Sequence, residues 1–95
     1  MPYIRLTIAR PHGGNGARAL EIMNELSTIA AKEDGFLESW VLKPHDDSGD
    51  LARIAVWRDE HAADAAANTA RFLSLRSELH LIVEPGHIER GFFTV

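Results

Sequence analysis

The amino-acid sequence predicts a single α+β domain spanning residues 1–95, a split βαβ arrangement with one antiparallel sheet and two helical regions. Three observations predict it. Stretches of period-two apolar alternation lie at both ends and in the middle of the chain. Two stretches of helical period separate them, and clusters of turn formers fall between. At 95 residues a core is feasible but thin, so burial against a partner would help. A formal charge of −4, with scattered basic residues, leaves no footprint for a nucleic-acid backbone.

Residues 3–9 alternate Tyr3, Arg5 and Thr7 with Ile4, Leu6 and Ile8, the pattern of a first strand with one strongly apolar face. Pro11, His12, Gly13, Gly14, Asn15 and Gly16 then break it. This loop lacks both a GxGxxG and a Walker-type Lys-Ser/Thr, so it reads as a strand-to-helix connection rather than a phosphate cradle. Residues 17–32 place Leu20, Met23, Leu26 and Ala30 at helical spacing, flanked by Ile22 and Ile29, and Gly35 is a fitting stop. Residues 36–43 and 51–57 read as a hairpin joined by a polar turn. Its His45, Asp46, Asp47 and Asp50 match no metal-ligand spacing and are what a solvated turn requires.

Residues 59–79 are helical in two pieces. The first is rich in alanine, the second carries Phe72, Leu75 and Leu79, and Asn68-Thr69 marks the break because both residues favour caps over helix interiors. After Glu84-Pro85-Gly86, residues 87–95 supply a last strand, with His80 and His87 flanking the loop as ordinary loop residues. The resulting order, β-α-β-β-α-β, is the ferredoxin-like fold. The first and third strands are apolar on both faces: Ile4, Leu6, Ile8, Ala52, Ile54 and Val56 on one, Tyr3, Ala9, Leu51, Ala55 and Trp57 on the other. Helices cover only one face of such a sheet, so the other is expected to form a homodimer.

No cysteine is present, which excludes disulfides, thiolate nucleophiles and Cys-based metal sites. No signal peptide is visible and no apolar run approaches the ~20 residues that span a bilayer, so a cytoplasmic protein without membrane contact is expected.

Glu33-Asp34-Gly35-Phe36-Leu37, which closes the first helix and opens the second strand, and Ala55-Val56-Trp57-Arg58-Asp59-Glu60, which closes the third strand, resemble the antibiotic biosynthesis monooxygenase-like (ABM) domains of the dimeric α+β barrel superfamily. The resemblance extends over nearly the whole chain. It implies a dimeric α+β barrel with a cavity between sheet and helices in each subunit, lined by a Trp at the position of Trp57. It also implies cofactor-independent oxidation of a small aromatic or polyketide-like substrate, with no metal. Related proteins degrade haem with an Asn–Trp–His set. Here the corresponding His falls on Ala66 or Ala67 and the Asn on Thr7, which argues against haem breakdown. The Asn that some polyketide oxygenases carry four residues before the Trp is Arg53.

Cofactor-free oxygenation needs a pocket that binds an electron-rich phenol and steadies its anion beside O₂. By alternation Arg53, Ala55 and Trp57 share one strand face, as Arg5 and Thr7 share another, so a guanidinium, an indole and a hydroxyl are expected to meet at one cavity. The candidate catalytic residues are Trp57, Asn68 and His61, the last as a base; the candidate substrate-binding residues are Arg53, Thr7 and Arg71. The alternative function is a non-catalytic dimeric module, a small-ligand binder or stress-response protein, suggested by the missing helical His and the few acid–base groups.

Overall fold

A computed structural model describes all residues, Met1–Val95. The elements run β1 (Tyr3–Ala9), α1 (Gly16–Ala30), β2 (Phe36–Leu42), β3 (Leu51–Trp57), α2 (Glu60–Ala67), α3 (Ala70–Leu81) and β4 (Ile88–Phe93). The four strands form one antiparallel sheet in the order β2-β3-β1-β4, the ferredoxin-like topology.

The second helical region breaks at Asn68 and Thr69, as its sequence predicts: Asn68 caps α2 at its C-terminus and Thr69 caps α3 at its N-terminus. The N-cap of α2 is Asp59, whose carboxylate accepts a hydrogen bond from the Ala62 amide at 2.8 Å. That bond, with Arg58 beside it, holds the Asp59 carboxyl below its ordinary range. The last strand is shorter than the sequence pattern, because pairing with β1 ends at Phe93 opposite Tyr3.

Gly35 turns the chain from α1 into β2 at φ 84°, and a Cβ there would lie 2.5 Å from the Cβ of Ala62. The position demands glycine twice over, by backbone conformation and by contact with α2. A shift of register between Phe36 and Glu38 then sets the facing of the rest of β2.

Alternation along β1 and β3 divides the sheet into two unlike faces. Tyr3, Ala9, Leu51, Ala55 and Trp57 join Ile22, Met23 and Leu26 of α1, the alanines of α2, and Phe72, Leu75 and Leu79 of α3 in one buried cluster. Ile4, Leu6, Ile8, Ala52, Ile54 and Val56 point the other way and are only half-buried. Around them on the same face stand Trp40, Leu42, Ile88 and Phe92, which are 40–47% exposed. No helix of the chain is long and apolar enough to cross a membrane.

Candidate functional site

Between the helix-covered face of the sheet and the helices lies a cavity of about 70 Å³. The sheet contributes Arg5, Thr7, Arg53, Trp57 and Glu89. The helices contribute Met23 and Leu26 from α1, Ala63 and Ala67 from α2, and Phe72, Arg76 and Leu79 from α3. Alanines on α2 keep that wall thin. Small-molecule pockets usually enclose roughly 300–1,000 Å³, so in this form the space suits a small ligand and not a fused-ring one.

Strand register explains the polar members. Arg53 of β3 lies opposite Thr7 of β1, and Thr7 lies opposite Glu89 of β4, so the three occupy one row across the sheet. One row along, Ala55 faces Arg5, and beyond it Trp57 faces Tyr3. Trp57 is buried and meets the edge of Phe36, ring centroids 5.5 Å apart at 86°.

Four arginines line the cavity; Arg90 stands 5.5 Å from the centroid of the Phe92 ring, and Arg5, Arg53 and Arg76 differ in their partners. Arg5 donates from Nε to the Tyr3 hydroxyl at 3.0 Å and pairs with the Asp64 carboxylate. Arg76 pairs with Glu89 at 2.7 Å. Burial alone would raise the Glu89 carboxyl, but Arg76 and His80 outweigh it and hold the group below the ordinary carboxylate range. Arg53 has no carboxylate. It is 6% exposed, its Nε donates to Ser27 Oγ at 2.9 Å, and its buried Nη2 has no hydrogen-bond partner. The guanidinium also stands 5.8 Å from the centroid of the Phe72 ring. Burial lowers the pKa of Arg53 to about 10, so the group remains a cation at neutral pH. A buried cation with an unused donor is costly, and an anionic ligand atom is what would satisfy it.

Of the residues expected from the sequence, the fold brings Thr7, Arg53 and Trp57 to one cavity and leaves His61, Asn68 and Arg71 outside it. The reason lies in how the helices turn. Helix α2 buries Ala62, Ala63 and Ala66, which puts His61 and Asn68 on its exposed side, and the Asn68 amide donates to the Asp64 carbonyl at 2.7 Å. Arg71 is spent on the surface, bonded to Glu25 of α1 at 2.8 Å. Sequence reasoning missed Ser27, Phe72 and Arg76 as site residues, and Glu89 most of all. Glu89 was within reach had the register of β4 on β1 been known.

The family model described as antibiotic biosynthesis monooxygenase matches residues 2–78. The chain belongs to this family. Its fold is shared by SnoaB, a cofactor-independent oxygenase from Streptomyces nogalater, at 20% identity and a TM-score of 0.87, over 99% of this chain and 93% of that one. Rv0793 from Mycobacterium tuberculosis is similar at 15% identity and a TM-score of 0.90, covering 100% of this chain and 96% of its own. A protein from Nitrosomonas europaea described as a putative antibiotic biosynthesis monooxygenase has 15% identity and a TM-score of 0.89, over 99% and 90% of the two chains. No curated protein matches in sequence. At these identities the structures speak for the ABM fold, and the site must be argued from this chain's own residues.

Proposed function

We propose that this ABM protein is a cofactor-independent monooxygenase acting on a small aromatic substrate that binds as its phenolate. The observation that carries the proposal is the buried Arg53, its Nη2 without a hydrogen-bond partner, among the residues that line a largely apolar cavity beside Trp57. In this reading the substrate oxyanion accepts from Arg53, its ring rests between Trp57 and Phe72, and the Thr7 hydroxyl supplies a second polar contact. No histidine lines the cavity, so the guanidinium itself promotes ionisation by lowering the pKa of the bound phenol.

The substrate anion supplies all the electrons. Ionisation to the oxyanion removes one proton from a conjugated CH₂; that carbon then forms a carbon–oxygen bond to O₂, and the peroxide takes up a proton to give a hydroperoxide that still carries the second C–H. Loss of water then leaves a carbonyl, with one oxygen atom in the product and one in water. Exclusion of solvent keeps the anion and the charge on O₂ from being quenched.

Chelator-treated protein should consume O₂ with some member of a panel of small phenols that carry a CH₂ conjugated to the ring oxygen, and Arg53→Met should lower that rate about 10²–10³-fold, the usual cost of removing an oxyanion donor. A panel giving no rate above buffer contradicts the proposal. The absence of a cavity histidine favours a second reading, a module that binds the same kind of anion without turning it over. Tight binding without O₂ uptake selects it.

The uncovered sheet face supports a homodimer that closes the barrel, since Trp40, Leu42, Ile88 and Phe92 otherwise stand in water around an aliphatic centre. Sedimentation should give twice the 10.5 kDa mass of the chain.

A further inference from the structure

We propose that His80, His87 and Glu89 form a binding site for a first-row divalent transition-metal ion. Each side chain offers one ligand atom, and these atoms lie within 4.8 Å of one another. Glu89 Oε1 is 2.9 Å from His80 Nε2 and 3.8 Å from His87 Nε2. The two imidazoles lie side by side, centroids 4.5 Å apart and tilted by 33°. An ion bound at about 2.0–2.2 Å in tetrahedral geometry holds its donors roughly 3.3–3.5 Å apart, so small rotations of these side chains complete the set.

Hydrogen bonding within the protein leaves this arrangement incomplete. One imidazole nitrogen satisfies Glu89 Oε1, whereas His87 Nε2 stands beyond hydrogen-bond reach of the same oxygen. A cation between the three donors would use all of them. The other carboxylate oxygen of Glu89 is held by Arg76 at 2.7 Å, which fixes the carboxylate and leaves Oε1 directed at the histidines.

The backbone also holds the site in place. His80 lies in the last turn of α3, Glu89 is pinned opposite Thr7 in the sheet, and His87 immediately precedes β4. The intervening loop is tied to the end of β1 through His12 N to Ile82 O at 2.8 Å, Glu84 N to Arg10 O at 2.7 Å, and a bridge between Pro11 and Val83. Three donors on a braced frame lose little freedom on binding. Two imidazoles and one carboxylate suit zinc, iron(II), nickel or copper(II), and exclude the all-oxygen preference of magnesium and calcium. The side chains are 26–35% exposed, so an ion can enter from solvent and keep water as a further ligand. The positive charge of Arg76 opposes the ion and weakens its binding. The site needs nothing from the oxygenation reading.

Calorimetric titration of the chelator-treated full chain with zinc chloride tests it. One ion per chain should bind, with affinity at least about tenfold weaker in His80→Ala and in His87→Ala, undetectable in the double variant, and unchanged in His45→Ala, which alters an exposed turn. Cobalt(II) should give visible absorption of low-symmetry nitrogen–oxygen coordination that is lost in the same variants. Circular dichroism identifies any variant that fails to fold, and Glu89→Gln then serves as the second ligand deletion. No saturable zinc binding, or binding that survives in the folded double variant, overturns the proposal.

Discussion

The helix-covered face of the sheet contains the buried cation Arg53, while the uncovered face is the more uniformly apolar of the two. Ordinary partitioning would reverse them, with Ile4, Leu6, Ile8, Ile54 and Val56 under the helices and the arginines in water. The difference teaches where each proposed partner would sit. Its aliphatic face makes sense against a second chain, and its charged face makes sense around a ligand.

The largest expected effect breaks the uncovered face. Ile54→Asp puts a charge at the centre of that face, beside Leu6 and Trp40 in the register. If the face is a dimer interface the unpaired charge costs about 3–5 kcal/mol, and sedimentation should show the 10.5 kDa monomer. A variant that stays associated would place the interface elsewhere.

The next prediction separates stability from binding on the other face. Arg53→Met should abolish binding of anionic phenols yet stabilise the empty protein by about 1–2 kcal/mol, because an unsatisfied buried donor is removed. At roughly 4–8 °C per kcal/mol for a domain of this size, the change is readable as a higher Tm. The pH dependence has a definite sign. Since burial lowers the pKa of Arg53 to about 10, its desolvation cost is present in full below that pH and is relieved above it, towards the ordinary guanidinium range. The gain from Arg53→Met should therefore shrink in strongly alkaline solution. A variant less stable than the parent would mean that Arg53 is a structural residue.

Gly35→Ala should cost about 2–4 kcal/mol, from a left-handed φ and contact with Ala62, and chemical denaturation measures it. It weakens the α1–β2 turn without touching either face's chemistry, so dimer mass and ligand affinity should persist in the folded fraction. Glu89→Gln has the smallest effect. The folded-state pKa of Glu89 is depressed, so its contribution is present above the ordinary 4.5 and is lost as pH falls through the lower folded value. The variant should flatten the acid limb of the stability profile below about pH 4.5, as followed by urea midpoints.

Much of this was legible from periodicity. The alternation in Tyr3–Ala9 and Leu51–Trp57 already separates the two faces, and the poor helix propensity of Asn68 and Thr69 locates the break between α2 and α3. Strand alternation also groups Thr7, Arg53 and Trp57, because a side chain's face follows from parity alone. The facing of His61, Asn68 and Arg71 was not legible in the same way. On a short helix it depends on which stripe meets the sheet, and alanines mark that stripe weakly. Glu89 and the two histidines beside it were hidden for a different reason. Their convergence depends on the β1–β4 register and on how α3 ends, and neither leaves a local pattern in residues 80–89.

The central claim is that Arg53 holds the anion of a small aromatic molecule, and a chromogenic nitrophenol tests it by reporting its own ionisation. Its absorbance should be titrated against pH in the presence of saturating protein, parent and Arg53→Met. The bound phenol should ionise at least about one pH unit lower on the parent protein than free in water. A nitrophenol that fails to bind, or whose shift is the same on Arg53→Met, would contradict it.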